Sequence, residues 1–409
     1  MHLIQKKFEF ILYGLILSTV IGFISFLFLR VEAFFTEFFW EKTPQIIGKS
    51  PFYFLALCLI GSGIVIFLKN KWGDYPETAH DTMNRLKQDK TLDYSDVFKG
   101  LAMAAIILMF GAGVGPEAAL LSAVISLSIW QADKLRFLFF NQDEINQLPF
   151  LERAKTVLHP TKNFQKYSEE LALKDETILK KKKLLNLLFI VNGLVTLTVL
   201  MKSTNQPSFI TKVGMSSWHF KELWIFIPIV LLSFFWAYGY RWLKIVIKRV
   251  MDQLLPKMPQ RIIFGGLMIF VFSQTMPSLL HSGQMSISPL IETRSSSTFM
   301  VLLILAIMKL VLLQFCLTSG WTGGDIFPIF FAALLVGAGI TKLFPGMDPV
   351  FIMAITASSF TISILNKNPI FIGLFTALFF PINTLPVILL VILVFWSMNK
   401  YFRKQNQMS

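Results

Sequence analysis

Two short glycine-rich breaks in apolar segments contain the residues of this sequence that are best placed to do chemistry. The first, GAGVGPEAAL from Gly111 to Leu120, contains a single carboxylate, Glu117, directly after a proline. The second, GGDIFPIFFAALLVG, begins at Gly323. Glycine allows unusual backbone angles, and proline is favoured in the first turn of a helix because its missing N–H group is no loss there. Both breaks therefore predict the start of a helix inside an apolar region.

The chemistry that such breaks favour is the binding of a small anion. The first N–H groups of a helix have no intrahelical partner, and the aligned peptide dipoles place partial positive charge at that end. Two helix N-termini aimed at one point can bind an anion through backbone amides alone. The carboxylate of Glu117 is itself an anion, so we expect it to compete with the ion for the N–H donors at the start of its own helix. The alternative is a structural glutamate that compensates the dipole of its helix.

The elements that must position these breaks are membrane helices. Of the 409 residues, 54% are hydrophobic and the mean hydropathy is +0.62, whereas soluble domains contain about 45–50% apolar residues. Several uninterrupted apolar runs, such as Phe10–Leu29, approach the ~20 residues that span a bilayer. The sequence therefore predicts an all-α, multi-pass integral protein of the cell membrane.

The formal charge of +14 does not indicate a nucleic-acid partner, because the basic residues cluster at the ends of apolar runs, as in Lys180–Lys183 and Arg241–Lys248. This is the distribution of membrane proteins, whose cytoplasmic loops are rich in lysine and arginine. The segment from about Gln131 to Lys183 is polar, and its lysine-rich end predicts a cytoplasmic insertion. We interpret this insertion as a solvated helical hairpin, with a regulatory or docking element as the alternative.

The remaining apolar segments form two halves of similar plan, about residues 8–204 and 219–401, each with one of the breaks. Paired broken segments in corresponding positions indicate an inverted-repeat transport fold with its site near the midplane of the membrane. We therefore predict a single membrane domain over residues 1–409.

GAGVGPEAAL resembles the helix-opening motif of the CLC chloride channels and transporters, G-x-S-x-G-(K/R)-E-G-P. It is more similar to a bacterial version, G-x-S-x-G-P-E-A-P, with Glu117 on the gating glutamate. The segment KLVLLQFCLTSGWTGGDIFP, from Lys309, is similar to the family's K-x-x-x-T…S-G-x-x-G-G-x-F-x-P helix pair. The resemblance implies a CLC-like inverted repeat of tilted and broken transmembrane helices, and a homodimer in which each subunit has its own pore.

The resemblance also implies roles for individual residues, with Glu117 as the gate. The backbone amides that it implies along the anion path are those of Glu117, Ala118, Asp325, Ile326 and Phe327. The pore and filter motif would comprise Gly73, Gly115, Pro116, Gly323, Gly324 and Pro328.

Several positions depart from the family pattern. The family's first filter motif, G-S-G-I-P, falls on Trp72–Pro76, so Gly73 replaces the filter serine and its hydroxyl is missing. Where the antiporters have an internal proton-relaying glutamate, this sequence has Lys202–Thr204. The last helix with its filter tyrosine is expected to be absent, and Tyr401 is a weak substitute. Asp325 should repel an anion unless it turns away as a helix cap.

The leading interpretation is transmembrane transport of a small inorganic anion, chloride by default, gated by Glu117. Within the same family, an anion/proton antiporter, a fluoride-type transporter and a non-conducting member remain alternatives. The alternative from another class is a membrane-embedded enzyme. The five histidines form no metal-binding spacing, so we predict no enzymatic activity, metal or cofactor.

Overall fold

The computed structural model describes residues 2–168, 176–204, 210–293 and 296–408, and this part of the chain is helical apart from its connections. A π-helical turn, Phe38–Lys42, joins the first two α-helices. The α-helices, in chain order, are α1 (His2–Glu37), α2 (Thr43–Ile47), α3 (Pro51–Trp72), α4 (Ala79–Asp89), α5 (Val97–Met109), α6 (Glu117–Phe140), α7 (Gln142–Gln147), α8 (Phe150–Leu158), α9 (Glu176–Ser203), α10 (Phe226–Leu254), α11 (Met258–Thr275), α12 (Ile287–Thr293), α13 (Phe299–Thr318), α14 (Ile326–Ile340), α15 (Pro349–Leu365), α16 (Pro369–Ala377) and α17 (Leu385–Met408).

Six helical segments of the described residues are long and apolar enough to cross a bilayer, which confirms the prediction of an all-α membrane protein. They are Phe8–Ile47, Pro51–Trp72, Lys182–Ser203, Phe220–Leu254, Phe299–Thr318 and Ile382–Tyr401.

Three shorter apolar helices, α5, α14 and α15, do not reach across a membrane by themselves. Helix α14 has 15 residues, all of them buried, and at 1.5 Å per residue it is about 22 Å long. The hydrocarbon core of a bilayer is about 30 Å thick. A helix this short and this apolar must have at least one end at membrane depth, as the second glycine-rich break predicts.

The chain divides into two compact units. The first contains the described residues within 1–34, 74–105 and 118–207, and the second those within 35–73, 106–117 and 208–409. The second unit therefore combines the second half of the sequence with α2, α3 and the loop that ends at Glu117. The division into sequence repeats at about 8–204 and 219–401 remains a prediction.

Helices α14 and α15 form the centre of the second unit. Helix α14 packs between α13 and α15, and α15 also packs against α10. The N-terminus of α15 is capped by Asp348, whose Oδ1 accepts a hydrogen bond from Phe351 N at 2.8 Å. Such a cap contributes about 1 kcal/mol to the stability of a helix. Because α15 is buried from Val350 to Ile364, it provides a rigid wall behind α14.

The first unit contains the described part of the predicted cytoplasmic insertion, of which residues 169–175 lie outside the described residues. This part begins with the last turns of α6 and continues into the two short helices α7 and α8. The Lys134 ammonium donates to the carbonyl oxygens of His159 and Lys162, and Trp130 Nε1 donates to Pro160 O at 3.0 Å. The chain after α8 is thus tied to α6 and is not a freely solvated hairpin.

Candidate anion site

The two glycine-rich breaks meet through a pair of backbone hydrogen bonds within the second unit. Gly115 N donates to Gly324 O at 2.8 Å, and Gly324 N donates to Gly115 O at 2.7 Å. This isolated antiparallel bridge joins the loop that ends at Glu117 to the loop that opens α14. The bridge satisfies four backbone groups that have no helical partner, as a buried polar backbone requires.

The carboxylate of Glu117 lies against both bridge glycines, so it fits there only while neither position has a side chain. A Cβ atom added to Gly115 would lie 1.9 Å from Glu117 Oε2, and one added to Gly324 would lie 2.2 Å from Glu117 Cδ. For both glycines, the three nearest atoms to the added Cβ all belong to Glu117. The bridge therefore forms a slot for the carboxylate, and any side chain at either position would fill it.

The carboxylate of Glu117 binds two backbone N–H groups at the start of α14. Glu117 Oε1 accepts from Ile326 N at 2.8 Å and from Phe327 N at 3.1 Å. The residue is only 6% exposed. These two donors are the first amides of α14 and lie at the positive end of its dipole. Two donors thus belong to the other broken helix, and the backbone N–H of Glu117 itself is a further hydrogen-bond donor to the carboxylate. The expectation that Glu117 competes for the donors at the start of its own helix stays a prediction.

The second carboxylate oxygen is in a different situation. Glu117 Oε2 is buried and has no hydrogen-bond partner. Leaving a buried acceptor unsatisfied costs about 1–3 kcal/mol, and more for a charged group. The carboxylate is therefore held through hydrogen bonds to Oε1, while Oε2 has none. Such a group is held less tightly than one with both oxygens paired.

Each of the two loops is anchored to a neighbouring helix by a contact that the sequence motif does not reveal. Gly113 N donates to Cys316 Sγ at 3.3 Å. Trp321 Nε1 donates to Ile262 O at 2.8 Å and holds the second loop on α11. Gly111 has a φ of 88°, which explains why the first break begins with glycine.

Asp325 occupies the N-cap position of α14, but its side chain makes no capping hydrogen bond. It turns instead to Lys367, whose Nζ lies 3.2 Å from Asp325 Oδ1. The structure therefore pairs the charge of Asp325 with that of Lys367, where helix capping was expected. Both side chains are partly exposed, at 45% for Lys367 and 35% for Asp325, so this pair is open to solvent and salt.

Four other expected residues, Pro116, Ala118, Gly323 and Pro328, lie in or next to the two breaks. Pro328 is the third residue of α14, where its missing N–H group is no loss. Pro116 is buried and directly precedes α6, and Gly323 has Val114 against it, 2.4 Å from the position of a Cβ. Ala118 is half-buried and belongs to the first unit.

Gly73 ends α3 with a φ of 92° and is exposed, with open space where a side chain would be. Ser203 and Thr204, at the position of the antiporters' internal glutamate, are exposed, and both hydroxyls donate to Leu200 O of their own helix. Tyr401 is 62% exposed. These residues are not part of the buried cluster around Glu117.

Two features of the site were missed by the sequence analysis. An aromatic cluster surrounds the first turn of α14, where the ring of Phe327 lies 5.1 Å from Phe375 and 6.0 Å from Phe379, in edge-to-face geometry. Lys309 of α13 is fully buried and donates to Leu279 O at 2.8 Å and to His281 O. The resemblance to the family's helix pair begins at Lys309, but it gave this lysine no partner or role.

The profile of the voltage gated chloride channel family matches residues 176–396, more than half of the 409 residues. The chain belongs to the voltage gated chloride channel family. Membership agrees with the prediction of a multi-pass anion-transport protein and with the prediction that the chain is not an enzyme. It also confirms the resemblance to this family, and the matched residues include the second break.

Solved structures show the same fold. The chain is similar to a CLC-type fluoride/proton antiporter, with a TM-score of 0.62 and 17% identity, covering 95% of this chain and 94% of that one. It is similar to a slow cyanobacterial chloride/proton antiporter, with a TM-score of 0.63 and 17% identity, covering 94% and 93%. A eukaryotic CLC transporter matches with a TM-score of 0.59 and 12% identity, covering 95% and 72%. No curated protein matches by sequence.

Proposed function

We propose that this family member carries small anions, chloride or fluoride, along a path that Glu117 gates by occupying the anion site at the start of α14. The observation that supports the proposal is the pair of hydrogen bonds from Ile326 N and Phe327 N to Glu117 Oε1 in a buried slot. A free anion placed on these two amides would receive the same donors and the same helix dipole.

The gate works by competition. Hydrogen bonds to a charged acceptor contribute roughly 1.5–3 kcal/mol each, so the docked carboxylate blocks the site until another anion replaces it or a proton neutralises it. A proton removes the charge that makes the two N–H contacts strong. Anion flux should therefore rise as the pH falls, and a high anion concentration should have the same effect.

The test is Glu117→Gln in purified protein reconstituted into liposomes loaded with chloride, fluoride or nitrate. Glutamine keeps the shape of the side chain and removes its charge, so flux should rise or lose its pH dependence and anion binding should strengthen. A well-folded variant with the flux and pH profile of the parent would show that the carboxylate only compensates its helix. Absence of flux in the parent protein for every anion would favour a non-conducting member.

We also infer that proton coupling is weak. The hydroxyls of Ser203 and Thr204 donate within their own helix, and neither residue titrates in the physiological range. The fluoride/proton antiporter and the cyanobacterial chloride/proton antiporter have the same fold as this chain, so anion/proton antiport is the second candidate function. It would appear as uphill proton movement driven by an anion gradient at a fixed whole-number ratio, with Glu117 or Asp325 as the carboxylate that transfers protons.

We further propose that the protein is a homodimer and that about residues 8–204 and 219–401 are its two repeats. Only 6% of the most apolar stretch within the span Lys182–Ser203 is buried. Ile190 and Leu194 are both 58% exposed. A helix that is apolar on nearly all sides must face lipid or another copy of the chain. Single-molecule photobleaching in bilayers would give two steps per complex for a dimer and one for a monomer.

A further inference from the structure

A second polar feature of the second unit lies away from Glu117, between α10, α11 and α13. It is a cavity of about 370 Å³ whose wall includes Lys244, Lys248, Arg261, Gln314 and Thr318. This volume is far larger than a single halide ion requires. The amides that bind Glu117 are not among the residues that line it.

The depth of this cavity follows from the length of α10. The helix has 29 residues from Phe226, so it is about 44 Å long, whereas the hydrocarbon core is about 30 Å thick. Lys244 and Lys248 lie about 27 and 33 Å along the axis from Phe226. Trp242, which is 61% exposed, precedes them at the depth where aromatic belts occur. The two lysines therefore lie at the level of the lipid headgroups.

The side of the membrane follows from charge. The last part of α10 contains four basic residues and one aspartate, whereas the 3-10 turn at the other end, Phe220–Ile225, contains one lysine and one glutamate. By the positive-inside rule the cavity opens to the cytoplasmic leaflet, where anionic lipids concentrate.

The cavity has an excess of positive charge. Arg261 is neutralised by Asp252, with Nη1 and Oδ1 2.9 Å apart, and its Nε donates to Leu255 O at 2.6 Å. Lys244 and Lys248 have no ion-pair partner among the residues that the structure describes. Because they are four residues apart on one helix, their like charges lie on the same face and repel each other. An anion between them would relieve this repulsion.

The inner wall contains an unsatisfied acceptor. Gln314 is 1% exposed, and its Nε2 donates to the hydroxyl of Tyr240. Its Oε1 is buried without a hydrogen-bond partner. A buried acceptor is costly unless a donor reaches it, and a rotation of the Gln314 side chain toward the cavity would bring Oε1 within reach of a hydroxyl group on the ligand. A ligand with a negative charge at one end and hydroxyl groups at the other matches both parts of the cavity.

We propose that this cavity binds the phosphodiester headgroup of an anionic, hydroxyl-bearing phospholipid of the cytoplasmic leaflet, with the phosphate between Lys244 and Lys248. Basic pockets between membrane helices on this side are suited to such headgroups. Because α10, α11 and α13 all contact the cavity, the bound lipid stabilises their packing. The proposal does not depend on the gating role of Glu117.

The test uses full-length protein in phosphatidylcholine nanodiscs with increasing fractions of phosphatidylglycerol, and follows the thermal unfolding midpoint. Any basic residue near an anionic surface contributes roughly fivefold in affinity, and these two lysines would in addition contact the phosphate directly. Lys244→Gln/Lys248→Gln should therefore raise the half-maximal phosphatidylglycerol fraction by more than the removal of two other basic residues does, or abolish the response. The variant Lys244→Arg/Lys248→Arg should keep the response of the parent. The control Arg249→Gln/Lys257→Gln removes the same charge at exposed positions that do not line the cavity, so it should lose only the general attraction to the anionic surface and show a clearly smaller effect than the cavity variant.

The outcomes separate the specific site from its alternatives. Equal losses in the cavity variant and the control would show that only net charge attracts the lipid, and would overturn the proposal. Inorganic phosphate is tested in phosphatidylcholine alone. Stabilisation by phosphate as large as that by phosphatidylglycerol would overturn the assignment to a lipid. An unchanged phosphatidylglycerol response in Lys244→Gln/Lys248→Gln would overturn the proposal, whatever the anion flux of that variant.

Discussion

Alanine at position 324 tests directly whether the Glu117 carboxylate and the transported anion use one site. A Cβ atom at Gly324 would lie 2.2 Å from Glu117 Cδ and 2.3 Å from Oε1. Gly324 is not among the glycines with positive φ, so its backbone accepts alanine without strain. The methyl group must therefore displace the carboxylate, and it would equally displace an ion bound at the position of Oε1.

The size of the effect follows from the two amides. An anion at the Oε1 position receives hydrogen bonds from Ile326 N and Phe327 N, each worth roughly 1.5–3 kcal/mol when the acceptor is charged. Losing both costs about 3 kcal/mol or more, which corresponds to at least about a hundredfold weaker anion binding. Fluoride, being smaller than chloride, should be affected less.

The measurement is isothermal titration of chloride and fluoride into purified protein, made in the Glu117→Gln background so that the carboxylate does not compete. Glu117→Gln/Gly324→Ala should bind chloride at least about a hundredfold more weakly than Glu117→Gln. Gly339→Ala in the same background is the matched control, because it lies near the far end of α14 and its Cβ would meet Phe299 at 3.2 Å. Chloride binding that survives Gly324→Ala would refute the shared site.

Three further predictions concern charge and topology. Lys367→Gln leaves the charge of Asp325 unpaired near the start of α14, so anion flux should fall several-fold, and Asp325→Asn in the same protein should restore it. The Lys99 ammonium, with the Tyr75 hydroxyl, holds the pKa of Asp96 below its usual range. The contribution of Asp96 to the free energy of unfolding is fully present above the pKa of about 3.9 that the carboxyl has in the unfolded chain. It is lost as the pH falls through the lower pKa of the folded protein. Asp96→Asn should thus cost about 1 kcal/mol or less at pH 7, since the pair is exposed, and nothing in strong acid, as measured by thermal unfolding. Lys155→Cys, at an exposed position of α8, should react with impermeant thiol reagents only after the cells are opened, and labelling of intact cells would reverse the predicted topology.

The sequence by itself determined the class of the protein and the local shape of its site. Long apolar runs require helices because every backbone polar group must be satisfied within hydrocarbon. Glycine and proline end or begin such helices through their own backbone geometry, so α6 begins at Glu117, and α14 begins within the second break. These features depend on neighbouring residues only, and both of them could be predicted.

Only the tertiary structure decided which donors Glu117 meets and how Asp325 is neutralised. The amides of Ile326 and Phe327 are 209 and 210 residues from Glu117 in sequence, and Lys367 is 42 residues from Asp325. Hydrophobic periodicity specifies the face and length of a helix but not which of two N-termini a side chain reaches. That choice was made by the Gly115–Gly324 bridge, because two backbone hydrogen bonds bring the loops so close that the carboxylate lies against α14.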